Sequence, residues 1–358
     1  METPHHFLPD DTELLLLKAL LAPPEQAQAA AIDWLQGRDL MALNEGLRRL
    51  LPLLFHHMEN WQLLHPSKSQ LAYFYKHYWL MTARIYAQRD RILSLLQPLD
   101  IPLILLKGLA LGPSVYPAPA TRPTHDIDLF IAPQNFDAVR SALEQAGFTC
   151  KQDALHSCLL SREDVPELDL HRSPYHELYS EKFVQPLCDR ILPLHGMASK
   201  AFALGHEDQL LHSILHGLYP NSVSPLRWVV DASFILRAYG PQFNWAIFRK
   251  EADRLGQSET VWVALDVIAR LTPQLIPAHT QAGWFPALTA EEKENLIAEK
   301  SLRGPWATWR MVRKNHGAMK SLAKFLHLYA MHFQALGWQA FWPRLLYWAR
   351  VYGLGRKN

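Results

Sequence analysis

Three aspartates in two short apolar stretches have the spacing of a metal-binding carboxylate cluster. Asp126 and Asp128 stand two residues apart where an apolar stretch begins, and Asp169 lies in a second such stretch about forty residues on. Residues two apart on a β-strand point to the same face, so Asp126 and Asp128 can share a cation, and pairing of the two strands would add Asp169. Mg²⁺ prefers carboxylate oxygens. The cluster therefore predicts a site for two Mg²⁺ ions, with Mn²⁺ as an alternative, suited to phosphoryl or nucleotidyl transfer.

A glycine turn stands just before the aspartate pair. The apolar run 101–106 stops at Lys107 and Gly108, which predicts a strand, a turn and a short helix. A glycine lets the backbone approach a phosphate closely, and the free amides at a helix start favour anions. Lys107 could add its charge to a triphosphate site or only neutralise the carboxylates, and the sequence leaves both readings open. Arg122 could bind a phosphate through two hydrogen bonds, or it could likewise only neutralise the carboxylates.

These motifs resemble those of a known family. They are Lys107-Gly108, Tyr116-Pro117, Arg122-Pro123, Asp126-Ile127-Asp128-Leu129, Ala146-Gly147-Phe148 and Asp169-Leu170-His171. The set, within residues 101–172, is similar to that of the uncharacterised nucleotidyltransferase family of the DNA polymerase beta superfamily. A weaker likeness extends to the amino-terminal helices and to residues 226–231, which are similar to an arginine-tryptophan-aspartate helix found after the core. Asp231 in that stretch is expected to pair with an arginine on a helix face rather than to take part in the chemistry.

The resemblance implies both a fold and an activity. The fold is α+β, with a small mixed β-sheet nucleotidyltransferase core flanked by N-terminal and C-terminal helical segments. Asp126, Asp128 and Asp169 are implied as metal ligands, with Asp169 also as the base. The implied reaction moves a nucleoside monophosphate from a nucleoside triphosphate, ATP by default, to an acceptor that the sequence does not identify.

The chain departs from the superfamily's pattern at the glycine turn. A serine whose hydroxyl helps to hold the triphosphate usually follows the glycine, whereas Leu109 follows Gly108 here. Lys107, Gly108 and Arg122 are the expected nucleotide-binding residues, and Arg122 is expected to replace the missing contact. The absent serine also supports a second hypothesis, a catalytically inactive protein of the same fold that binds nucleic acid or a membrane. Three carboxylates that repel one another without metal argue against it.

Length and periodicity predict how the chain is divided. At 358 residues, of which 49% are hydrophobic and 20% charged, the chain can bury a substantial core. We expect an N-terminal helical segment over 1–98, the nucleotidyltransferase core over 99–200, a helical domain over 201–300 and a tail over 301–358.

Within these divisions, apolar residues recur at helical spacing in several stretches, namely 11–21, 25–35, 40–59, 67–96, 133–147 and 201–270. Residues 148–162 have the pattern of two short strands, and the core is expected to end near Ser173. His212 and His216 are spaced like a zinc-ligand pair. No glutamate accompanies them in an HExxH arrangement, which favours a core or acceptor-facing role.

The start of the chain and its cysteines predict a cytoplasmic protein. The first residues are acidic rather than basic, and no apolar run is long enough for a transmembrane segment. The three cysteines lack Cys-x-x-Cys spacing, which favours free thiols, with a disulfide between the first two as the alternative. They are Cys150, Cys158 and Cys188.

The carboxyl-terminal stretch has an unusual charge. Residues 301–358 contain ten Lys or Arg and no Asp or Glu, whereas the preceding 300 residues carry 26 basic and 34 acidic side chains. Five of the twelve tryptophans also lie in this tail. Basic and aromatic residues together suit RNA, an anionic membrane surface or an acidic acceptor, and packing on the acidic remainder is the alternative. A toxin-like transferase that modifies tRNA would use both the core and the tail.

Overall fold

The amino-terminal part of the chain is helical. The computed structural model describes residues 7–154, 156–163, 165–175, 181–197, 200–218, 226–277, 280 and 288–300. Its first helices are α1 (Asp11–Leu21), α2 (Pro24–Leu35), α3 (Glu45–Arg48), α4 (Leu51–Asn60) and α5 (Lys68–Leu96). A capping box starts α1, in which Asp10 and Glu13 each bind the other's backbone N–H. The single helix expected over 40–59 is wrong, because Asn44 caps α3 and Pro52 stands in the first turn of a separate α4.

A mixed sheet follows these helices. The described strands are β1 (Leu103–Leu105), β2 (Ile127–Phe130), β3 (Thr149–Asp153), β4 (Ser157–Ser161), β5 (Leu168–His171), β6 (Leu192–Pro193) and β7 (Ala201–Ala203). They lie in the order β3-β4-β5-β2-β1-β7-β6. The pairs β2–β5 and β1–β7 are parallel, and the other neighbours are antiparallel. The predicted α+β fold with a mixed sheet and helical flanks is confirmed.

Helices connect the strands and continue after them. Those within the sheet region are α6 (Lys107–Val115), α7 (Phe136–Gln145) and α8 (Glu181–Cys188). Those after it are α9 (His206–Gly217), α10 (Arg227–Tyr239), α11 (Trp245–Arg254), α12 (Ser258–Leu271) and a further helix, Ala290–Lys300. None of the described helices is both long and apolar enough to cross a membrane. The basic tail, residues 301–358, lies outside the described residues.

The sheet is wider than the sequence indicates. The prediction that the core ends near Ser173 is wrong, because β6 and β7 extend the sheet beyond β1. The expected start of a helix at Ala201 is also wrong, since Ala201–Ala203 form β7 and pair with β1. A strand of three residues is too short to display a two-residue alternation, so its pattern cannot be separated from that of the helix that follows.

Two buried apolar clusters hold the sheet between helices. Strand alternation turns Ile104 and Phe130 to one face, where they join side chains of α1, α2, α4 and α9 to α12. Leu105 and Leu129 turn to the other face and pack with Leu109 of α6, the second half of α5 and α7. The sheet is therefore covered on both faces, and the amino-terminal and carboxyl-terminal helices share one core.

A buried ion pair ties the turn before β2 to α10. Arg122 donates from Nε and Nη2 to the two carboxylate oxygens of Asp231, over 2.7 and 2.8 Å. Tyr116 donates its hydroxyl to the same carboxylate over 2.5 Å. Arg122 and Asp231 are 4% and 5% exposed. Asp231 thus pairs with an arginine, as expected, but this arginine lies in the turn before β2 and not on a helix face. The two charges satisfy each other inside the core.

We predict that Asp231→Ala lowers the free energy of unfolding by about 3–5 kcal/mol, because it leaves the Arg122 guanidinium buried without a counter-charge. Urea denaturation measures this change. The matched control is Glu144→Ala, which also removes a carboxylate bound to an arginine, Arg140, but at the surface. It should cost less than about 1 kcal/mol. Equal losses in the two variants would contradict the assignment.

Candidate active site

Two neighbouring parallel strands bring the predicted aspartates together. Asp128 of β2 is the register partner of Asp169 of β5, so the predicted pairing of the two strands is confirmed. Asp128 is buried, at 1% exposure, whereas the side chain of Asp169 is 25% exposed. Asp126 is exposed and stands just before β2, two residues from Asp128. The cluster therefore runs from the interior of the sheet to its surface.

His171 joins this cluster. Its Nε2 lies 2.9 Å from Asp128 Oδ1 and 3.2 Å from Asp169 Oδ2. Ligand atoms of these three residues lie within 4.8 Å of one another, and Asp126 is outside that grouping. His171 was not among the predicted site residues. Its sequence position could have indicated it, because Asp169 and His171 are two apart on one strand and must share a face.

Lys107 supplies a second cation to the buried carboxylate. It is the first residue of α6, with the left-handed φ of 51°, and its Nζ lies 2.6 Å from Asp128 Oδ1. A left-handed non-glycine residue stores about 1–3 kcal/mol of strain that its surroundings must offset. Of the two readings of Lys107, the structure shows the ion pair with a carboxylate. A contact with triphosphate stays a prediction.

Gly108 is required for close packing against the turn before β2. A Cβ at this position would collide with Thr124 Oγ1 and lie 3.0 Å from Arg122 Nη1. The next residue, Leu109, is fully buried in the apolar cluster that Leu105 and Leu129 form on one face of the sheet. The position where the superfamily usually has a serine is therefore part of the core in this chain.

The charges of the cluster shift the pKa values of its members. Burial would raise the pKa of Asp128, but Lys107 and His171 outweigh it and hold that pKa well below its usual range. Burial likewise opposes the effect of His171 on Asp169, whose pKa falls to about 2. Burial would lower the pKa of His171, but Asp169 and the hydrogen bonds to both carboxylates raise it to about 9. The negative charge of Asp128 raises the pKa of Asp126. At neutral pH the two strand aspartates are ionised and His171 is protonated.

Two arginines lie beside the cluster, and they differ in their partners. Arg122 directs Nε and Nη2 to Asp231 and Nη1 to the Pro123 carbonyl at 3.2 Å, so its contact with a phosphate stays a prediction. Arg227 begins α10, and its only hydrogen bond among the described residues goes to the same carbonyl, at 3.4 Å. Burial, reinforced by the charge of Arg122, lowers the pKa of Arg227 to about 10, against the effect of nearby Asp231 and Asp126. The sequence analysis noted Arg227 only as part of a motif.

The remaining metal candidates lie elsewhere. His212 and His216 are ring neighbours on α9, 5.8 Å apart, and neither belongs to a ligand grouping within the described part of the chain. The cysteines are free, with Cys150 Sγ and Cys158 Sγ 3.2 Å apart across the β3–β4 hairpin. Asp153 shares that grouping, but its carboxylate already binds two arginines.

A mixed sheet with aspartates on neighbouring parallel strands, and a glycine turn after the adjacent strand, is the arrangement of a nucleotidyltransferase site. Residues 47–273, more than half of the chain, match the model of a family described as uncharacterised nucleotidyltransferases. The chain belongs to this family, so the resemblance is confirmed and the protein is a nucleotidyltransferase. A search of curated proteins finds no match, and neither does a search of solved structures.

The raised pKa of His171 predicts a pH-dependent stability of the metal-free protein. A histidine with a folded pKa of about 9 and an unfolded pKa of 6.5 stabilises the fold fully below pH 6.5. That contribution, up to about 3 kcal/mol, is lost as the pH rises through 9. We expect the free energy of unfolding of wild type, relative to that of His171→Gln, to fall by this amount between about pH 6.5 and 9.5. Urea denaturation in EDTA measures the difference.

The control for this measurement is His125→Gln. Burial, reinforced by nearby Arg49, lowers the pKa of His125 to about 4, so its ring is neutral throughout the window. The difference in unfolding free energy between wild type and His125→Gln should therefore stay constant above pH 7. A constant difference for His171→Gln as well would show that His171 is not charged in the folded protein.

Proposed function

We propose that the protein transfers a nucleoside monophosphate from a nucleoside triphosphate, ATP by default, to an acceptor hydroxyl or phosphate. Asp126, Asp128 and Asp169 would hold the divalent ions, two Mg²⁺ with Mn²⁺ as the alternative. The observation that carries the proposal is the register of β2 and β5. It sets two ionised carboxylates side by side at the end of the sheet where β1 turns into α6.

The donor set fits a hard divalent cation. The site offers carboxylate oxygens, and Asp169 Oδ1 is buried with no hydrogen-bond partner among the described residues, which an ion would satisfy. Lys107 and His171 place positive charge against Asp128 in the metal-free protein, as an ion would. When bound, the ions would neutralise charge that develops on the phosphates and lower the pKa of the attacking group.

In the proposed reaction, one residue of the chain accepts the proton of the acceptor, and pyrophosphate is the leaving group. The acceptor oxygen attacks the α-phosphorus and forms the new bond, and its proton passes to the Asp169 carboxylate. The bond to the oxygen that bridges the α- and β-phosphates breaks, and pyrophosphate leaves. Asp169 is ionised and able to accept the proton, but a pKa lowered to about 2 makes it a weak base. Much of the activation would therefore come from charge neutralisation at the attacking oxygen.

The triphosphate would lie at the start of α6. Backbone amides at a helix start favour anions, and Gly108 keeps the first turn close to the residues before β2. Leu109 offers no hydroxyl. Because Arg122 is occupied by Asp231, Arg227 is the better candidate for the replacement phosphate contact.

Several finer expectations stay predictions beside this proposal. They are the divisions of the chain at residues 98, 200 and 300, the cytoplasmic location, and the binding of RNA or an anionic membrane by residues 301–358. The tRNA-modifying activity also stays a prediction, because it depends on that tail.

The first test is calorimetric titration with each nucleoside triphosphate, with and without Mg²⁺. We expect wild type to bind at least one of them in a Mg²⁺-dependent manner, and Asp126→Asn to bind it at least about tenfold more weakly, since a metal ligand is lost. Transfer of labelled nucleotide should fall with it. Asp126 is preferred to Asp128 because it is exposed and its replacement leaves no buried cation unpaired.

The matched control is Asp137→Asn, an exposed aspartate of α7 away from the cluster, which should bind and react as wild type does. Undiminished transfer by Asp126→Asn would contradict the proposed metal site. A wild-type protein that binds no triphosphate would favour the catalytically inactive alternative.

A second test separates the two arginines. Arg227→Gln should weaken triphosphate binding about tenfold and change the free energy of unfolding by less than about 1 kcal/mol, because this guanidinium makes no hydrogen bond to a carboxylate among the described residues. Arg122→Gln should instead cost about 3–5 kcal/mol of stability, since it strands Asp231. Calorimetry and urea denaturation of both variants measure the contrast. The reverse pattern would make Arg122 the phosphate contact, as the sequence predicts.

A further inference from the structure

A small pocket opens beside the carboxylate cluster. The parallel pairing of β1 with β7 brings α6 and α9 to the same edge of the sheet, and the pocket lies between these helices. Its apolar walls include leucines from β1, from α6 and the residue before it, and from the segment between β7 and α9. Its polar lining comes from Lys107, Gln209, His212 and Ser213. Lys107 also binds Asp128, so the pocket and the proposed catalytic cluster share a residue.

Two of the residues that line this pocket each carry a polar atom without a partner among the described residues. His212 Nε2 and Gln209 Oε1 are buried and make no hydrogen bond among the described residues. The two side chains are only 4% and 6% exposed. Gln209 Nε2 donates to the Leu204 carbonyl over 2.7 Å, which fixes the amide and leaves Oε1 as its unsatisfied end. A buried polar group without a partner destabilises the fold, so two such groups in the lining of one pocket indicate a ligand group that satisfies them.

Charge and size restrict what that group can be. Burial, reinforced by the charge of Lys107, lowers the pKa of His212 to about 3, so the ring is neutral at physiological pH. Gln209 is also neutral, and the charge of Lys107 is engaged by Asp128. Beyond its open mouth, the pocket has room for at most about one water molecule. A neutral group of that size that donates to Gln209 Oε1 and pairs with His212 Nε2 is a hydroxyl.

We propose that the pocket between α6 and α9 binds a single substrate hydroxyl beside the carboxylate cluster, with His212 and Gln209 as its partners. This inference rests on the proposed function and deepens it. The hydroxyl belongs either to the ribose of the triphosphate or to the acceptor, and the two sources have the same chemistry at the pocket. His212 and Gln209 are specificity residues in this arrangement, because they touch the substrate away from the reacting phosphorus.

The test compares the triphosphate that wild type binds best with its 2′-deoxy and 3′-deoxy forms, by calorimetry with Mg²⁺. If the ribose occupies the pocket, one deoxy form should bind wild type about tenfold more weakly than the parent nucleotide. His212→Leu should weaken the parent nucleotide by the same factor without weakening that deoxy form further. Gln209→Met should repeat the result if His212→Leu does not fold.

If the acceptor supplies the hydroxyl, all three nucleotides should bind alike to wild type and to His212→Leu. Transfer of the α-phosphate label to material in a cell extract should then fall at least about tenfold in the variant. The matched control is His57→Leu on α4. Burial lowers the pKa of this histidine to about 4, and its Nε2 has no hydrogen-bond partner within the described part of the chain. This variant should change neither binding nor transfer.

Unchanged binding and unchanged transfer in both pocket variants would overturn the inference, and the pocket would then hold only an ordered water. An equal loss in His57→Leu would overturn it too, because the effect would not come from the pocket. Failure of wild type to bind any triphosphate is a different result. It would overturn the proposed function itself, and the pocket inference with it.

Discussion

The buried charge of Asp128 is the constraint around which the sheet is organised. An ionised carboxylate at 1% exposure is costly unless it is paired, and here one partner comes from the neighbouring strand β5 and the other from the start of the helix that follows β1. Lys107 is the first residue of α6, and His171 is the last residue of β5. A slip of one residue in the pairing of β2 with β5 would turn His171 to the opposite face of the sheet from Asp128. The charge pairing and the strand register therefore support each other, and the same arrangement creates the candidate active site.

The parts of this arrangement that sequence could predict are those with a local signal. Aspartates inside apolar runs indicated the cluster, and helical spacing over 29 residues indicated α5. The spacing of His171 from Asp169 indicates a shared strand face, but its contact with Asp128 depends on the strand beside it, which the sequence around His171 does not show. Strand β7 was missed for the same reason. Its three residues acquire their structure by pairing with β1, almost one hundred residues earlier in the chain.

The departures from the superfamily's pattern become intelligible once the packing is known. Leu109 gives α6 an apolar anchor where a hydroxyl is usual, and Arg122 is bound to Asp231. The burial of Leu109 and the pairing of Arg122 both attach the glycine turn more firmly to its surroundings. Each leaves one polar group fewer to contact a ligand. Arg227, His212 and Gln209 all belong to helices that follow the sheet. Under the proposed function, these helices would contribute to the site as well as to the core.

The shared core also affects how the chain can be synthesised. Helix α1 packs against α10 and α12, and Phe7 and Leu8 donate their backbone N–H groups to the Glu294 carboxylate over 3.0 and 2.9 Å. These partners leave the ribosome more than two hundred residues after α1. Translation proceeds at about 5–20 residues per second, so the apolar face of α1 stays partly exposed for roughly 10–50 s before its later partners are synthesised. During translation, α1 is therefore suited to binding by a chaperone that holds exposed apolar helices.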